Sequence, residues 1–147
     1  MGEERVQWKK QLEEAPHLAK KMYNMGVEAT LDVISGKWKP QILCHLSMRP
    51  QRTCDLRNEL PQISQKVLTQ QLRELAADGI VDRQVAGDKA PFKVTYRLTE
   101  MGRSLGTVLV QMSVWGEHHV DELHQAGQLD VGIRNDHKGF ERLLQPR

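Results

Sequence analysis

Apolar residues recur at helical spacing along most of this chain, and the period changes in one region. Val27, Leu31 and Ile34 share one helix face, and Gly36 ends that run. Pro40 suits the first turn of the next helix, whose apolar face carries Ile42, Leu43 and Leu46. Thr53 is placed to cap a short helix through Leu60, which Pro61 stops. The clearest helix then runs from a cap at Ser64 to Asp78. Its apolar positions are Val67, Leu68, Leu72 and Leu75, and Gly79 follows its end. Beyond it the period falls to two. Ile80, Val81 and Val85, the turn from Gly87 to Pro91, and the alternating stretch from Phe92 to Leu98 predict a β-hairpin with a long tip. Thr99 caps a last helix continuing to about His124.

The flanks differ from this middle. Glu3 to Met22 is rich in helix formers, with Pro16 breaking or restarting the helix. From Gln125 the chain turns polar and contains Gly127, Gly132 and Gly139, which predicts a loosely held tail that only Phe140, Leu143 and Leu144 can dock.

Composition narrows the classes. A chain of 147 residues is sized for one domain, and 39% hydrophobic with 27% charged residues describes a packed core rather than disorder. No apolar run approaches the roughly 18–20 residues of a membrane span. The charged stretch from Met1 to Gln11 lacks the apolar region of a secretory signal. Cys44 and Cys54 are too few for a disulfide scaffold and fit a reducing cytoplasm. The net charge of +2 is unevenly divided: Lys37 to Arg103 holds 12 Lys/Arg and 7 Asp/Glu, or +5, leaving −3 for the rest. A basic centre between acidic ends suits a polyanion partner, although a motif is needed to make the case.

The order of elements supplies it. A short helix, the break Pro61-Gln62-Ile63 and a strongly capped helix form the layout of a helix-turn-helix, and the hairpin behind them supplies a wing. The fold expected is mainly α with a small β-hairpin wing, a winged helix-turn-helix. Leu68, Leu72 and Leu75 form the buried stripe of the second helix. Ser64, Gln65, Lys66, Thr69, Gln70 and Arg73 fall on its remaining face or at its N-terminus, and such side chains meet base edges and phosphates. Lys89 and Lys93 occupy the wing, with Arg97 further along the strand. A polar helix face is ordinarily just solvated; the helix before and the hairpin after favour the DNA reading here.

Four blocks, in order, carry a family resemblance. Gly26 to Pro40, including Val27-Glu28-Ala29 and Gly36-Lys37-Trp38-Lys39, resembles the opening signature of the HxlR family of winged-helix transcription regulators. Pro61 to Leu75 is similar to its recognition-helix signature. Gly79 to Arg83 and Val94 to Leu105 resemble its wing and the start of its final helix. The resemblance spans about Gly26 to Glu117. It implies a prokaryotic, cytoplasmic, homodimeric DNA-binding regulator, a repressor in most cases, without catalytic activity or cofactor. One departure matters. Relatives that sense electrophiles or oxidants carry a cysteine just ahead of the Val27-Glu28 position, where this chain has Met25-Gly26.

On this reading, residues 1–24 are a helical extension, 25–126 the winged helix-turn-helix with its dimerisation helix, and 127–147 a polar tail. A helix from Thr99 to His124 spans roughly 40 Å, too long for one small core to cover. Leu105, Val108, Leu109, Met112, Trp115 and Leu123 are therefore assigned to a dimer seam, with Leu12, Trp8 and Leu18 of the N-terminal helix as further partners. Cys54, beside Arg52 at a helix start, and Cys44, in an apolar helix, are the available redox-sensor thiols; a buried, inert role is the plain alternative for Cys44. No metal is expected, because neither Cys44, His45 and Cys54 nor His118, His119 and His124 has ligand spacing. The expected partners are double-stranded DNA, a second copy of the chain and an unidentified small-molecule effector, with no membrane. Two alternatives stand beside this: a winged-helix module that binds only protein, and a small enzyme, for which no phosphate loop or nucleophile elbow is present.

Overall fold

The structure, a computed structural model, describes residues 22–146. The first helix among the described residues, α1 (Gly26–Ile34), starts where the Glu28 carboxylate accepts the backbone N–H groups of Asn24 and Met25. It buries Ile34 and leaves Val27 and Leu31 exposed. After it comes α2 (Lys39–Met48), with Pro40 in the first turn as expected. Its Ile42, Leu43 and Leu46 are almost wholly buried and form the centre of the core. A two-residue strand that the hydrophobic pattern does not reveal, β1 (Gln51–Arg52), precedes α3 (Thr53–Glu59). The cap of α3 is Arg52 rather than Thr53. The Asp55 carboxylate accepts the Arg52 N–H at 3.1 Å, so a third-position acid does the work assigned to a threonine hydroxyl.

The next helix, α4 (Gln65–Ala77), follows its sequence closely. Ser64 Oγ accepts the Val67 N–H at 3.1 Å. At the other end Gly79, at φ +76°, carries the left-handed turn, while the N–H groups of Gly79 and Ile80 bond to the carbonyls of Ala76 and Leu75. The paired strands β2 (Val81–Ala86) and β3 (Lys93–Leu98) form the wing, and β1 adds to the outer side of β3, giving the antiparallel order β1-β3-β2. Tyr96 and Leu98 point into the core; Phe92 lies before the strand and is exposed.

The single long helix expected from Thr99 is instead two, α5 (Glu100–Arg103) and α6 (Gly106–Gln125). The Ser104 hydroxyl donates to the Met101 carbonyl, and the Leu105 N–H reaches only to Gly102, an i−3 bond that tightens the turn. The 20 residues of α6 span about 30 Å. The tail then returns to the domain through α7 (Lys138–Glu141) and a 3₁₀ turn (Arg142–Leu144). Phe140 is buried and Leu143 packs against the core, whereas Leu144 is largely exposed. The helix expected before Met22, with Trp8, Leu12 and Leu18, lies outside the described residues. No helix among the described residues is long and apolar enough to cross a membrane.

Candidate nucleic-acid interface

The two helices α3 and α4 are joined by one compact turn. Leu56, Leu60 and Ile63 from the first helix and the turn, and Leu68, Leu72 and Leu75 from the second, are all buried in the same core. With its leucine stripe fixed inward, α4 must present the opposite side to solvent. There Gln65, Lys66, Gln70 and Arg73 are exposed, Thr69 is half-buried, and the capping Ser64 is exposed at the N-terminal end. That end also carries free N–H groups and a partial positive charge, which suits a phosphate.

The same face is held in register by side-chain contacts. Gln70 Nε2 donates to Glu74 Oε1 at 3.2 Å, which orients the amide yet leaves its carbonyl oxygen and second hydrogen free for an adenine edge. Glu74 also receives Lys39 Nζ at 2.7 Å and Gln71 Nε2 at 3.3 Å. Lys39 is only 5% exposed, so this ion pair ties the recognition-like helix to the start of α2 from behind. A second clamp joins α2 to the end of α3: Glu59 lies 2.6 Å from His45 Nδ1 and 3.0 Å from Arg49 Nη2.

Two residues on this surface escape a reading by period and charge. Arg57, on α3, donates from Nη1 to Gln65 Oε1 at 3.3 Å and extends the basic surface across the turn. Val67, counted above with the apolar positions, is 39% exposed on the outer face, where it can meet a thymine methyl group. Arg57 was detectable only as a cation on the exposed side of the short helix; nothing in the period distinguishes Val67 from a core valine.

In the wing, Lys89 at the tip and Lys93 at the start of β3 are exposed. Strand alternation puts Lys93, Thr95 and Arg97 on the side away from Tyr96 and Leu98, facing Ala86, Gln84 and Asp82 in the β2 register. Arg97 Nε lies 3.4 Å from Asp82 Oδ2, which partly commits this cation to its own hairpin.

The proposed seam residues separate into two sets. Val108, Met112 and Trp115 form an exposed stripe on α6, with Trp115 69% exposed and stacked on His119 at a 5.1 Å centroid distance. Leu109, in contrast, is 4% exposed because it faces the core of its own chain; it is not an outer position. Leu105 and Leu123 are half-buried, and Leu105 packs against that core. Leu12 lies outside the described residues. Of the two thiols, Cys54 is exposed. Cys44 is half-buried, and that burial pushes its thiol pKa up, while the N–H groups of Gly139 and Phe140 on the sulfur pull the other way. Among the described residues there is no cluster of three or more metal-ligating side chains.

The model of the HxlR-like helix-turn-helix family matches residues 33–124. The HTH-type transcriptional regulator YtcD of Bacillus subtilis is 50% identical over 121 residues, covering 81% of this chain and 95% of that protein. The crystal structure of YtcD matches with a TM-score of 0.61, over 66% of this chain and 98% of that one. The redox regulator HypR in its reduced form matches with a TM-score of 0.64 and 48% identity, over 69% and 99%. Quinone-bound YodB from B. subtilis matches with a TM-score of 0.56 and 32% identity, over 66% and 99%.

Proposed function

The chain belongs to the HxlR-like helix-turn-helix family of transcriptional regulators, and from that premise we propose that it is a homodimeric repressor that reads an inverted-repeat operator through α4. The observation that carries this reading is the outward face of α4. A stripe of fully buried leucines fixes a helix whose exposed side is polar and basic, with Arg57 on one flank and the lysines of the wing on the other. Lys66 and Arg73 supply phosphate or guanine contacts, Gln70 an adenine contact and Val67 an apolar one.

Dimerisation is supported by the exposed stripe Val108, Met112 and Trp115, which suits an apolar partner. The same stripe on a second copy satisfies it, and two-fold symmetry then sets two copies of α4 about one DNA turn apart. Effector control is part of the proposal because YodB is known in a quinone-bound form and HypR in reduced and oxidised forms. Fluorescence anisotropy on the DNA upstream of the protein's own gene, with unrelated duplex as competitor and at fixed salt, tests the reading. Preference for the upstream duplex that Gln70→Ala and Arg73→Ala relax supports it. Equal affinity for both duplexes favours the protein-interaction alternative.

A further inference from the structure

The family match ends at residue 124, yet the chain beyond it is built into the domain. Phe140 is buried in the core. A Cβ at Gly139 would stand 2.6 Å from Cys44 Sγ, and one at Gly106 would stand 2.5 Å from Leu143 Cβ, so the returning segment is seated closely on both α2 and α6. His137 adds side-chain contacts to Glu117 at 2.8 Å and Glu141 at 3.4 Å.

Before it docks, this strap bridges a gap and leaves two adjoining cavities of about 570 and 590 Å³. Gln41, His45, Arg134 and Asn135 line both. Pro40, Cys44, Met48 and Phe140 give the first an apolar floor. The second reaches Leu60, Pro61 and Gln62, the turn between the two helices of the helix-turn-helix.

The rim charge is lopsided. Lys37, Arg134 and Lys138 border the cavities, and none of them has a carboxylate partner among the described residues. Three cations thus face two carboxylates: Glu59 is already paired with Arg49 and in contact with His45, while Asp136, whose Oδ1 accepts the Lys138 N–H at 2.9 Å, keeps its negative charge near Cys44. An apolar floor beneath a rim of net positive charge suits a small apolar body with one negative charge.

We propose that the cavity beneath the C-terminal strap binds a small aromatic carboxylate, its ring on the floor beside Cys44, Met48 and Phe140 and its carboxylate on Arg134. This names an effector class and rests on the effector control proposed above. The occupied cavity adjoins the one at the helix-turn-helix turn, which gives the ligand a short route to α4.

Alkylation of the two cysteines provides a test that needs no DNA. Cys44 lines the cavity and Cys54 is exposed elsewhere, so the intact protein carries its own control. With 1-naphthoate at about ten times its Kd, mass action leaves roughly one site in eleven open, so iodoacetamide labelling of Cys44 slows about tenfold while Cys54 is unchanged. Arg134→Ala, at an exposed position, removes most of that protection, and the neutral 1-naphthalenemethanol protects far less than the acid. Unprotected Cys44, equal slowing of both thiols, or equal protection by the neutral probe overturns the proposal. Because the readout is independent of DNA, its failure leaves operator recognition standing, and a failure of operator recognition leaves the labelling result standing.

Discussion

Gln70 and Arg73 test base recognition at the level of single side chains. Each good bidentate base contact is worth about 1–3 kcal/mol of discrimination, so Gln70→Ala and Arg73→Ala should flatten preference at one or two base pairs each. Competition titrations against single-base operator variants report this. Full retention of preference in both would remove α4 as the reader. Lys89 is proposed to make the other class of contact, to phosphate. Lys89→Ala should weaken all duplexes alike and reduce the slope of log affinity against log salt by about 1, measured by anisotropy across a salt series. The thiols differ as well. Because burial raises the Cys44 pKa, less thiolate is present near neutral pH, and Cys44 should alkylate more slowly than exposed Cys54 and gain rate as pH rises.

At the scale of elements, the position of α4 depends on its cap and on the ion pair behind it. Ser64→Ala should cost about 1 kcal/mol of stability in denaturant unfolding. Glu74→Ala leaves Lys39 buried without its carboxylate. Loss of a partner to a buried charge costs roughly 3–5 kcal/mol, and the partial exposure of Glu74 brings the expectation down to about 2. Lys39→Met, which removes only one of the partners of the more exposed Glu74, should cost less. The helix α4 was readable to within a residue because cap, leucine period and terminal glycine agree. The strand β1 was not, since two residues show no period and their pairing with Thr95 and Tyr96 is long-range. The break between α5 and α6 was hidden because Ser104 and Gly106 sit inside an otherwise continuous apolar pattern. The proposed DNA face emerged as the complement of the leucine stripe. Which seam residues face outward did not, because Leu105 and Leu109 have the hydrophobicity of interface residues and only packing assigns Leu109 inward.

For the whole molecule, the proposed assembly rests on the exposed stripe on α6. Met112→Glu combined with Trp115→Glu places two charges in the proposed seam without touching the monomer core, since both side chains are exposed. The double variant should remain folded by circular dichroism, sediment as a monomer and bind DNA much more weakly; a variant that still sediments as a dimer would place the interface elsewhere. The family assignment and the outward face of α4 support the central proposal, that paired copies of α4 read a symmetric DNA site. The most direct test is selection of bound sequences from a random duplex library at fixed salt. The account predicts enrichment of an inverted repeat whose half-site centres lie about 10 bp apart, with the enriched positions lost in Arg73→Ala. A pool that shows no enriched sequence, and whose binding to the protein is uniformly abolished by salt, would contradict it.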